Sequence, residues 1–393
     1  MENQNLTLNV NTQDLKESLN YLSKFELYKN PVLYLKTTKH GIDLSIYSVN
    51  YNILTCEIIS DVINENIEVE LNFKNFKKLL SKIKPKDFKF IQSFYIQENF
   101  LILEITNNIK KKIKCKISTR QVEKVNYNKF VTIPISLFND IFDHYKLLLQ
   151  DSEYLFFKNL LLRIENNKLN LVLTNGSLLT LIEYEHEHNE NIDLFLPIEV
   201  IKVLESVKPF KQFLLSMKYI KVENEIFINL NYVNDNITLN FQVKVEKFDY
   251  PEYQKVIPQK YNHINIEINK KNLLKYLSVI DTTKDNEGIT LNLLKDKIII
   301  KNDIDMEYKT EVIIDKNDFK YFDSSGEIQD QKGINEFFAL NKNLFEFYLK
   351  TLELEKVFIK YYGHSSPLVI NENLEEEFYK TKKLVIMPMR VNH

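Results

Sequence analysis

The sequence is poor in glycine and cysteine, and both shortages exclude classes of function. Its 393 residues include only six glycines, and these are scattered along the chain. Loops that bind nucleotide phosphates need closely spaced glycines, so that backbone amides can approach the phosphate. The two cysteines, Cys56 and Cys115, are too few for a disulfide framework or a four-cysteine zinc site. We therefore expect no mononucleotide-binding enzyme, and we interpret both cysteines as small buried hydrophobic residues.

Long hydrophobic segments and a strong net charge are also missing. No charge-free apolar run approaches the ~20 residues that span a bilayer, and the first residues, MENQNLTLNV, lack the layout of a signal peptide. Apolar residues make up 44% of the chain, enough for a folded core. We therefore expect a cytoplasmic protein without a membrane partner. Because the formal net charge is −2, any nucleic-acid interaction must be inferred from where the lysines lie.

No arrangement of side chains in the sequence has the spacing of a catalytic site. The best candidate for metal binding is EYEHEHNEN, residues 183–191, where His186 and His188 would share one face of a strand. A third ligand at a suitable spacing is missing, so a solvated strand end or turn is the preferred interpretation. We expect a protein without cofactor or metal that is not an enzyme. A metal-dependent enzyme using His186 and His188 is kept as an alternative.

One pattern recurs six times: a short alternating strand, a capping or turn residue, and an amphipathic helix. Strand-like runs with period-two alternation follow each helix. Six copies in the same order indicate a repeat architecture, in which each helix lies on an antiparallel sheet. Repeats 1 to 6 begin with the segments 6–22, 67–83, 130–146, 192–208, 264–280 and 337–353.

The spacing of the repeats predicts three domains of similar size, each containing two repeats. The predicted domains cover residues 1–127, 128–258 and 259–393. The predicted fold class is α+β.

The outer faces of several predicted helices are basic. In repeat 2, Phe73, Phe76 and Leu80 belong to the buried stripe, and no carboxylate occurs between residues 72 and 86. Recurrence of lysines in other repeats favours a shared positive surface, which would contact phosphates without sequence preference. The lysines predicted to face duplex DNA are Lys16, Lys24, Lys74, Lys77, Lys78, Lys202, Lys208, Lys270, Lys271 and Lys275.

Four segments resemble those of bacterial DNA polymerase III beta subunits, the sliding clamps. LTNGSLLTL (173–181) is similar to the family's T-D-G-H-R-L-A segment, and FDYPEYQKVIP (248–258) to F-P-D-Y-R-R-V-L-P. SPLVI (366–370) resembles the S-P-L-x-I strand, and VIMPMR (385–390) the V-M-P-M-R terminus. The resemblance covers the whole chain. It implies three clamp domains per subunit, and a head-to-tail homodimer that forms a six-domain ring around DNA.

The resemblance also implies a pocket that receives short peptides of partner proteins. Those partners are the polymerase alpha subunit, the clamp loader and other proteins with the clamp-binding motif. Adaptable methionines in an apolar groove suit such a role. Carried over by position, the pocket comprises Phe157, Thr174, Gly176, Leu179, Pro251, Lys255, Val256, Asn341, Val385, Ile386, Met387, Pro388, Met389 and Arg390.

This chain departs from the family pattern at four positions near that pocket. Asn175 replaces the family's Asp, Ser177 its frequent His, Leu178 its usual Arg, and Lys255 its second Arg. Lysine keeps the charge of arginine but lacks its planar bidentate fork. The departures therefore predict altered contacts with a bound peptide.

The resemblance implies that the ring closes between the first domain of one subunit and the third domain of the other. The strand around IKCKIST (113–119) would meet the region of Leu277 and Ile280, and its lysines would face Asp303, Asp305 and Glu307. A peptide-binding scaffold that does not encircle DNA is a further alternative. The predicted interface residues are Ile113, Cys115, Ile117, Leu277 and Ile280.

Overall fold

The computed structural model describes most of the chain, and every structural statement below concerns the described residues. None of the helices among them is long and apolar enough to cross a membrane. The described residues are 9–25, 31–47, 52–60, 67–106, 108–118, 125–148, 155–186, 191–208, 214–246, 249–258, 263–282, 288–302, 309–323, 335–373 and 380–389.

A helix lies in each of the six repeats, as predicted. Four of the helices begin after an asparagine whose side-chain oxygen accepts a backbone N–H of the first turn, at 2.8 to 3.1 Å. Such caps satisfy amide groups that have no partner within the helix. The capping residues are Asn11, Asn72, Asn269 and Asn341. The helices are α1 (Thr12–Leu22), α2 (Phe73–Ser81), α3 (Leu137–Leu148), α4 (Ile198–Ser206), α5 (Lys270–Ser278) and α6 (Lys342–Thr351).

The strands surround these helices in chain order. Three short 3-10 turns, Leu155–Lys158, Tyr253–Lys255 and Lys316–Asp318, lie between them. The strands are β1 (Val10–Asn11), β2 (Val32–Thr38), β3 (Gly41–Tyr47), β4 (Ile53–Ile59), β5 (Glu68–Asn72), β6 (Phe90–Ile91), β7 (Ser93–Gln97), β8 (Phe100–Thr106), β9 (Ile109–Ile117), β10 (Lys129–Pro134), β11 (Asn159–Glu165), β12 (Lys168–Thr174), β13 (Leu178–Glu185), β14 (Ile192–Pro197), β15 (Leu214–Val222), β16 (Glu225–Asn234), β17 (Ile237–Glu246), β18 (Ile264–Asn269), β19 (Gly288–Leu294), β20 (Lys297–Asn302), β21 (Glu311–Asp315), β22 (Phe319–Phe322), β23 (Asn335–Asn341), β24 (Lys356–Tyr361), β25 (Leu368–Asn373) and β26 (Lys380–Ile386).

The chain folds into two compact lobes. The first lobe comprises Met1–Asn139 and Leu196–Phe248, and the second comprises Asp140–Phe195 and Asp249–His393. The first lobe contains an eleven-stranded sheet of order β10-β15-β16-β17-β4-β3-β2-β5-β9-β8-β7 and the pair β1-β6. The sheets of the second lobe have the orders β14-β11-β12-β13-β26-β25-β24-β18-β22 and β21-β20-β19-β23. Division into three domains at residues 127 and 258 stays a prediction.

Strand pairing follows one rule along the chain. The last strands of repeats 1 and 4 pair with each other as β4 and β17, and those of repeats 3 and 6 pair as β13 and β26. Both pairings are antiparallel, and each joins two sets of strands into one continuous sheet. We call them the first junction, in the first lobe, and the second junction, in the second lobe.

Burial of the side chains follows the predicted periodicities. On α2, Phe73, Phe76 and Leu80 are buried, while Lys74 and Lys78 are exposed. Both cysteines are free and buried, as predicted.

Candidate functional site

The carboxyl-terminal strand brings two of the predicted pocket segments together. In the second junction, Leu179 of β13 lies opposite Val385 of β26. After β26, the Met387 N–H donates to the Ser177 carbonyl at 2.9 Å, and the Met389 N–H donates to the Ala339 carbonyl at 2.9 Å. Residues 387–389, which we call the terminal segment, are therefore held by hydrogen bonds to two separate parts of the second lobe.

The turn beside the terminal segment is closed by side-chain hydrogen bonds. The Thr174 hydroxyl donates to the Leu178 carbonyl at 2.7 Å and accepts the Gly176 N–H at 3.1 Å. Asn175 Oδ1 accepts the N–H groups of Ser177 and Leu178 at 3.0 and 2.9 Å. Asparagine is well suited to such turns because its side chain bonds the backbone two residues on. The replacement of the family's Asp by Asn175 therefore retains the turn.

Gly176 needs to be glycine for two reasons. Its φ of +89° lies in a region that other residues rarely adopt. A Cβ atom on Gly176 would also lie 3.3 Å from Cζ of Phe157. Phe157 and Gly176, both predicted pocket residues, are thus neighbours.

Burial divides the predicted pocket residues into two groups. Thr174, Leu179, Val385 and Ile386 are buried in the second lobe and support the surface from beneath. Asn341 is half-buried, and its side chain caps α6. The residues with accessible surface are Phe157, Gly176, Pro251, Lys255, Val256, Met387, Pro388 and Met389, of which Met389 is 39% exposed.

Residues 251–256 are held on strands β11 and β12 by two tyrosines that the sequence analysis did not single out. Tyr250 is buried and donates to the Val172 carbonyl at 3.4 Å. Tyr253 is also buried, and its ring lies 5.3 Å from the guanidinium carbon of Arg163. Burial raises the pKa of Tyr253 to about 12. The sequence could have indicated both tyrosines, since they flank Pro251, a predicted pocket residue.

Arg163 is fixed in turn by a bidentate ion pair. Its Nε and Nη2 atoms donate to the two carboxylate oxygens of Asp193 at 2.8 and 2.9 Å. This hydrogen bonding raises the pKa of Arg163. Lys255, by contrast, is highly exposed and pairs with Glu252. Arg163 therefore anchors this part of the surface, and Lys255 is available to a ligand.

The structure does not bring together a metal site from the histidine-rich segment. The His186 N–H donates to the Asn167 carbonyl at 2.8 Å at the end of the β12–β13 hairpin. His188 and Arg390 lie outside the described residues. Across the ranges that the structure describes, no three His, Cys, Asp or Glu side chains cluster as metal ligands. Nothing here favours the metal-dependent alternative.

Most of the predicted DNA-facing lysines are on accessible helix faces. Burial lowers the pKa of Lys77, and the positive charge of Lys24 lowers it further, so Lys24, two residues after α1, and Lys77 of α2 lie close together in the first lobe. Lys270 of α5 differs, because its Nζ donates to the Leu352 carbonyl at 2.6 Å. Lys24, Lys74, Lys78, Lys202, Lys208, Lys271 and Lys275 are exposed, and Lys16, Lys77 and Lys270 are half-buried.

The predicted interface residues of the third domain are not on the surface. Leu277 and Ile280 are both buried in the core of the second lobe, and the exposed apolar residue beside them is Val279, at 56%. The resemblance placed Leu277 and Ile280 at the interface, but both side chains pack within the second lobe itself. Leu277 and Ile280 are thus corrected from interface to core residues. Asp303, Asp305 and Glu307 lie outside the described residues.

Strand β9 is an open edge over only part of its length. Cys115 and Ile117 pair with β5, whereas residues 109–114 pair with β8 and with no second strand among those described. Ile113 and Cys115 are buried, and Ile117 is 68% exposed. The open edge, residues 109–114, therefore begins four residues before the predicted segment 113–119 and overlaps it at residues 113 and 114.

Comparisons with known proteins identify the fold. No family model and no curated protein sequence matches the chain. A DNA polymerase sliding clamp from Bacillus subtilis is similar over 99% of this chain and 100% of its own, with a TM-score of 0.77 and 13% identity. The DNA polymerase III subunit beta from Pseudomonas aeruginosa is similar over 98% of this chain and 99% of its own, with a TM-score of 0.75 and 14% identity. The corresponding subunit from Borrelia burgdorferi, in complex with a natural product, is similar over the full length of both chains, with a TM-score of 0.74 and 16% identity. The chain has the sliding-clamp fold, which confirms the predicted α+β class of repeated strand and helix elements.

Proposed function

We propose that this protein is a DNA sliding clamp that acts in the cytoplasm. Two copies would form a six-domain ring around duplex DNA and tether a replicative polymerase for processive synthesis. A closed ring cannot dissociate sideways, so processivity needs topological linkage and only modest attraction to the phosphates. The role is mechanical, and it requires no catalytic group, cofactor or metal.

The observation that carries the proposal is the pairing rule of the last strands. Repeats 1 and 4 pair through β4–β17, and repeats 3 and 6 pair through β13–β26. Each of these strands ends a three-stranded meander that follows a helix, and in repeat 5 that strand is β21, because β22 turns back to pair with β18. The same offset of three repeats would pair β21 with β9, the strand that ends the meander of repeat 2. Both strands have an open edge within the described residues. Pairing between two copies of the chain satisfies the rule twice and closes a ring.

The two open edges are complementary in charge. Lys110, Lys112 and Lys114 are exposed on β9, while Glu311 and Asp315 are exposed on β21. Opposite charges across an antiparallel pair stabilise it, and an exposed apolar residue such as Ile313, at 48%, would be covered. This assignment replaces Leu277 and Ile280 with β21 as the contact of the third domain.

Basic helices would line the hole, and the terminal segment would receive partner peptides. The neighbouring cations Lys24 and Lys77 support non-specific contact with phosphates. Met387, Pro388 and Met389 supply adaptable apolar contact beside the polar turn at residues 174–178. In the finer form of the proposal, the partners are the polymerase III alpha subunit, the clamp loader and other proteins with a clamp-binding motif.

Two measurements test the ring. Sedimentation should give the mass of a dimer, and protein loaded on nicked circular DNA should be released when the circle is linearised. A peptide-binding scaffold would show no dependence on DNA topology. The variant Lys112→Glu/Lys114→Glu should sediment as a monomer. Mixing it with Glu311→Lys/Asp315→Lys should restore dimers, because both junctions of the mixed dimer are charge-matched, one with natural and one with reversed charges. Dimers that persist in the first variant would contradict the β9–β21 assignment.

A further inference from the structure

A buried polar network lies beneath the second junction. His144 of α3, Thr180 of β13 and Tyr348 of α6 are fully buried, and Lys382 of β26 is nearly so. His144 Nε2 lies 2.8 Å from the Thr351 hydroxyl, and His144 Nδ1 lies 3.1 Å from the Thr180 hydroxyl. The Thr180 hydroxyl is also 3.2 Å from the hydroxyl of Tyr348. The network therefore joins two helices to the paired strands.

The direction of each hydrogen bond follows from counting protons. The Thr351 hydroxyl donates its only hydrogen to the Tyr348 carbonyl at 2.8 Å, so it accepts from His144 Nε2–H. Nδ1 of a neutral imidazole is then an acceptor, so Thr180 donates to it and accepts from the Tyr348 hydroxyl. Each polar hydrogen in this hydrogen-bonded chain is thus donated to a single acceptor. The arrangement requires a neutral His144, and burial, with the nearby charge of Lys382, lowers the pKa of His144 to about 3.

An ion pair completes the network. Lys382 Nζ lies 3.5 Å from Asp140 Oδ1 and 3.4 Å from the Thr351 carbonyl, which it reaches as a donor. Lys382 is opposite Ile182 in the strand pair, on the side that faces α3 and α6. A buried cation keeps its charge only when such partners surround it.

The apolar side chains at the second junction do not determine how β13 and β26 align. Leu178, Leu179, Leu181 and Ile182 are buried on both faces of β13, and residues 384–386 are likewise buried on both faces of β26. Register is weakly specified when both faces of a strand carry the same kind of residue. A shift of one or two residues would still bury apolar side chains. It would move Lys382 away from Asp140 or to the opposite face.

We propose that Lys382 and Asp140, supported by the hydrogen-bonded chain through His144, set the register of β26 on β13. These are positioning residues, because the terminal segment continues directly from β26. A shift by two residues would carry Met387 and Met389 along the strand direction by roughly 7 Å, at ~3.3 Å per residue. Their hydrogen bonds to Ser177 and Ala339 would then be lost. That the register prepares a peptide-binding surface rests on the proposed function, but the register claim itself does not.

Disulfide trapping reads the register directly in the full-length chain. Glu183 lies opposite Thr381, so Glu183→Cys/Thr381→Cys reports the native alignment. Leu181→Cys/Thr381→Cys can form a disulfide only when β26 slips by two residues. Each cysteine pair is placed in the natural background and in the Asp140→Leu/Lys382→Met background. We expect the slipped disulfide to form at least tenfold faster in the second background.

The matched control is Lys383→Met on the same strand. Lys383 pairs with Glu183 on the opposite face, so removing its charge should leave the slipped disulfide at the level of the natural protein. If the double variant does not fold, Asp140→Asn keeps the shape, removes the charge and should still raise the rate of slipped disulfide formation. An unchanged rate in folded variants of Asp140 and Lys382 would overturn the inference.

Binding of a short Gln-x-x-Leu-Phe-type peptide separates this inference from the proposed function. Weaker binding in the Asp140→Leu/Lys382→Met variant, with restored binding when the native disulfide is formed, supports the positioning role. Slipping without any change in peptide affinity would overturn the role of the terminal segment and leave the register claim supported. Failure of the natural protein to bind the peptide would count against the proposed function alone.

Discussion

The first and second junctions have the same antiparallel topology but are held together by different chemistry. In the first junction, β4 and β17 alternate strictly, so Leu54, Cys56 and Ile58 face the helices while Thr55 and Glu57 face outward. In the second junction, residues 178, 179, 181 and 182 of β13 and 384–386 of β26 are apolar on both faces, and the polar network lies beneath the pair. Strict alternation by itself excludes a slip of one residue, because such a slip would bury the polar face. Where alternation is absent, buried polar partners supply the specificity.

The packing beneath the two junctions differs in the same sense. In the first lobe, the ring of Phe25 lies 6.5 Å from that of Phe241, and the Cys56 thiol donates to the Ser18 carbonyl at 3.6 Å. Burial raises the pKa of Cys56, so this group stays a neutral thiol. The core beneath the first junction is chiefly hydrophobic, whereas the core beneath the second contains a buried charge pair.

The largest expected effect comes from removing one partner of that charge pair. Lys382→Ala leaves Asp140 buried without its cation and should lower the free energy of unfolding by ~3–5 kcal/mol. Replacing both partners, in Asp140→Leu/Lys382→Met, should cost little or stabilise the protein. In the first junction, Leu239→Ala should cost ~2–5 kcal/mol, with no comparable rescue. Urea denaturation measures all three variants. A double variant as unstable as Lys382→Ala would remove the distinction between the junctions.

The two lobes should respond to acid in opposite directions. The folded pKa of His144, about 3, is below the ordinary value of 6.5, so the unfolded chain binds a proton first as the pH falls. Its contribution to stability is therefore present above pH 6.5 and is lost progressively down to pH 3. The loss should be about 2 kcal/mol at pH 5. Unfolding monitored over this range should become less pH-dependent in His144→Gln.

Asp43, in the first lobe, should change stability with pH in the opposite direction. Burial and the charge of Glu57, directly opposite it on β4, together raise the pKa of Asp43 to about 6. The folded state then binds a proton that the unfolded chain does not bind between pH 6 and 3.8, so stability rises as the pH falls through that window. Asp43→Asn should abolish this rise. If His144→Gln and Asp43→Asn lose the same amount of stability on acidification, the two groups do not act in opposite directions.

A smaller effect is expected at the exposed end of the second junction. Met389→Ala should weaken binding of a Gln-x-x-Leu-Phe-type peptide by ~1–2 kcal/mol if the residue is a contact hot spot. Val233 of the first lobe is similarly exposed and provides the matched control as Val233→Ala. Calorimetry at matched melting temperature should separate the two variants. Equal affinities would place the peptide site elsewhere.

The smallest effect tests the proposed contact of the helices with DNA. Reversing Lys74, Lys77 and Lys78 on α2 should reduce the salt dependence of DNA binding by about one unit of slope for each lost phosphate contact. Reversing Lys270, Lys271 and Lys275 on α5 should reduce it less, because Lys270 already donates to the Leu352 carbonyl. Retention over a salt series measures both. If the α2 and α5 variants reduce the salt slope equally, Lys270 also contacts phosphate.

Much of the fold could be predicted from local patterns. An asparagine followed by apolar residues three and four apart marked the start of a helix at Asn72 and Asn341, and both asparagines cap a helix. Periodicity also separated Phe76 from Lys74 on α2. Gly176 was assigned to the pocket through the resemblance of its segment to a known one, and its positive φ explains why glycine occupies that position.

Errors arose where a pattern says which side chains share a face but not what covers it. Leu277 and Ile280 were assigned to the interface by the resemblance, and as apolar residues they suit an interface and a core equally well. The open edge of β9 was placed at residues 113–119, whereas Cys115 and Ile117 are paired with β5, a strand more than forty residues earlier. Such pairing depends on distant residues and cannot be read from the strand itself.

The sequence by itself determined the six strand and helix repeats, their caps, the buried faces and the basic character of the helices, because each depends on residues within a few positions of one another. Only the tertiary structure decided which last strands pair and which polar groups meet beneath them. Asp140 and Lys382 are 242 residues apart, and nothing near either residue in the chain indicates its partner. Their ion pair exists because repeats 3 and 6 join through β13 and β26, and long-range strand pairing of this kind is selected by the free energy of the whole core.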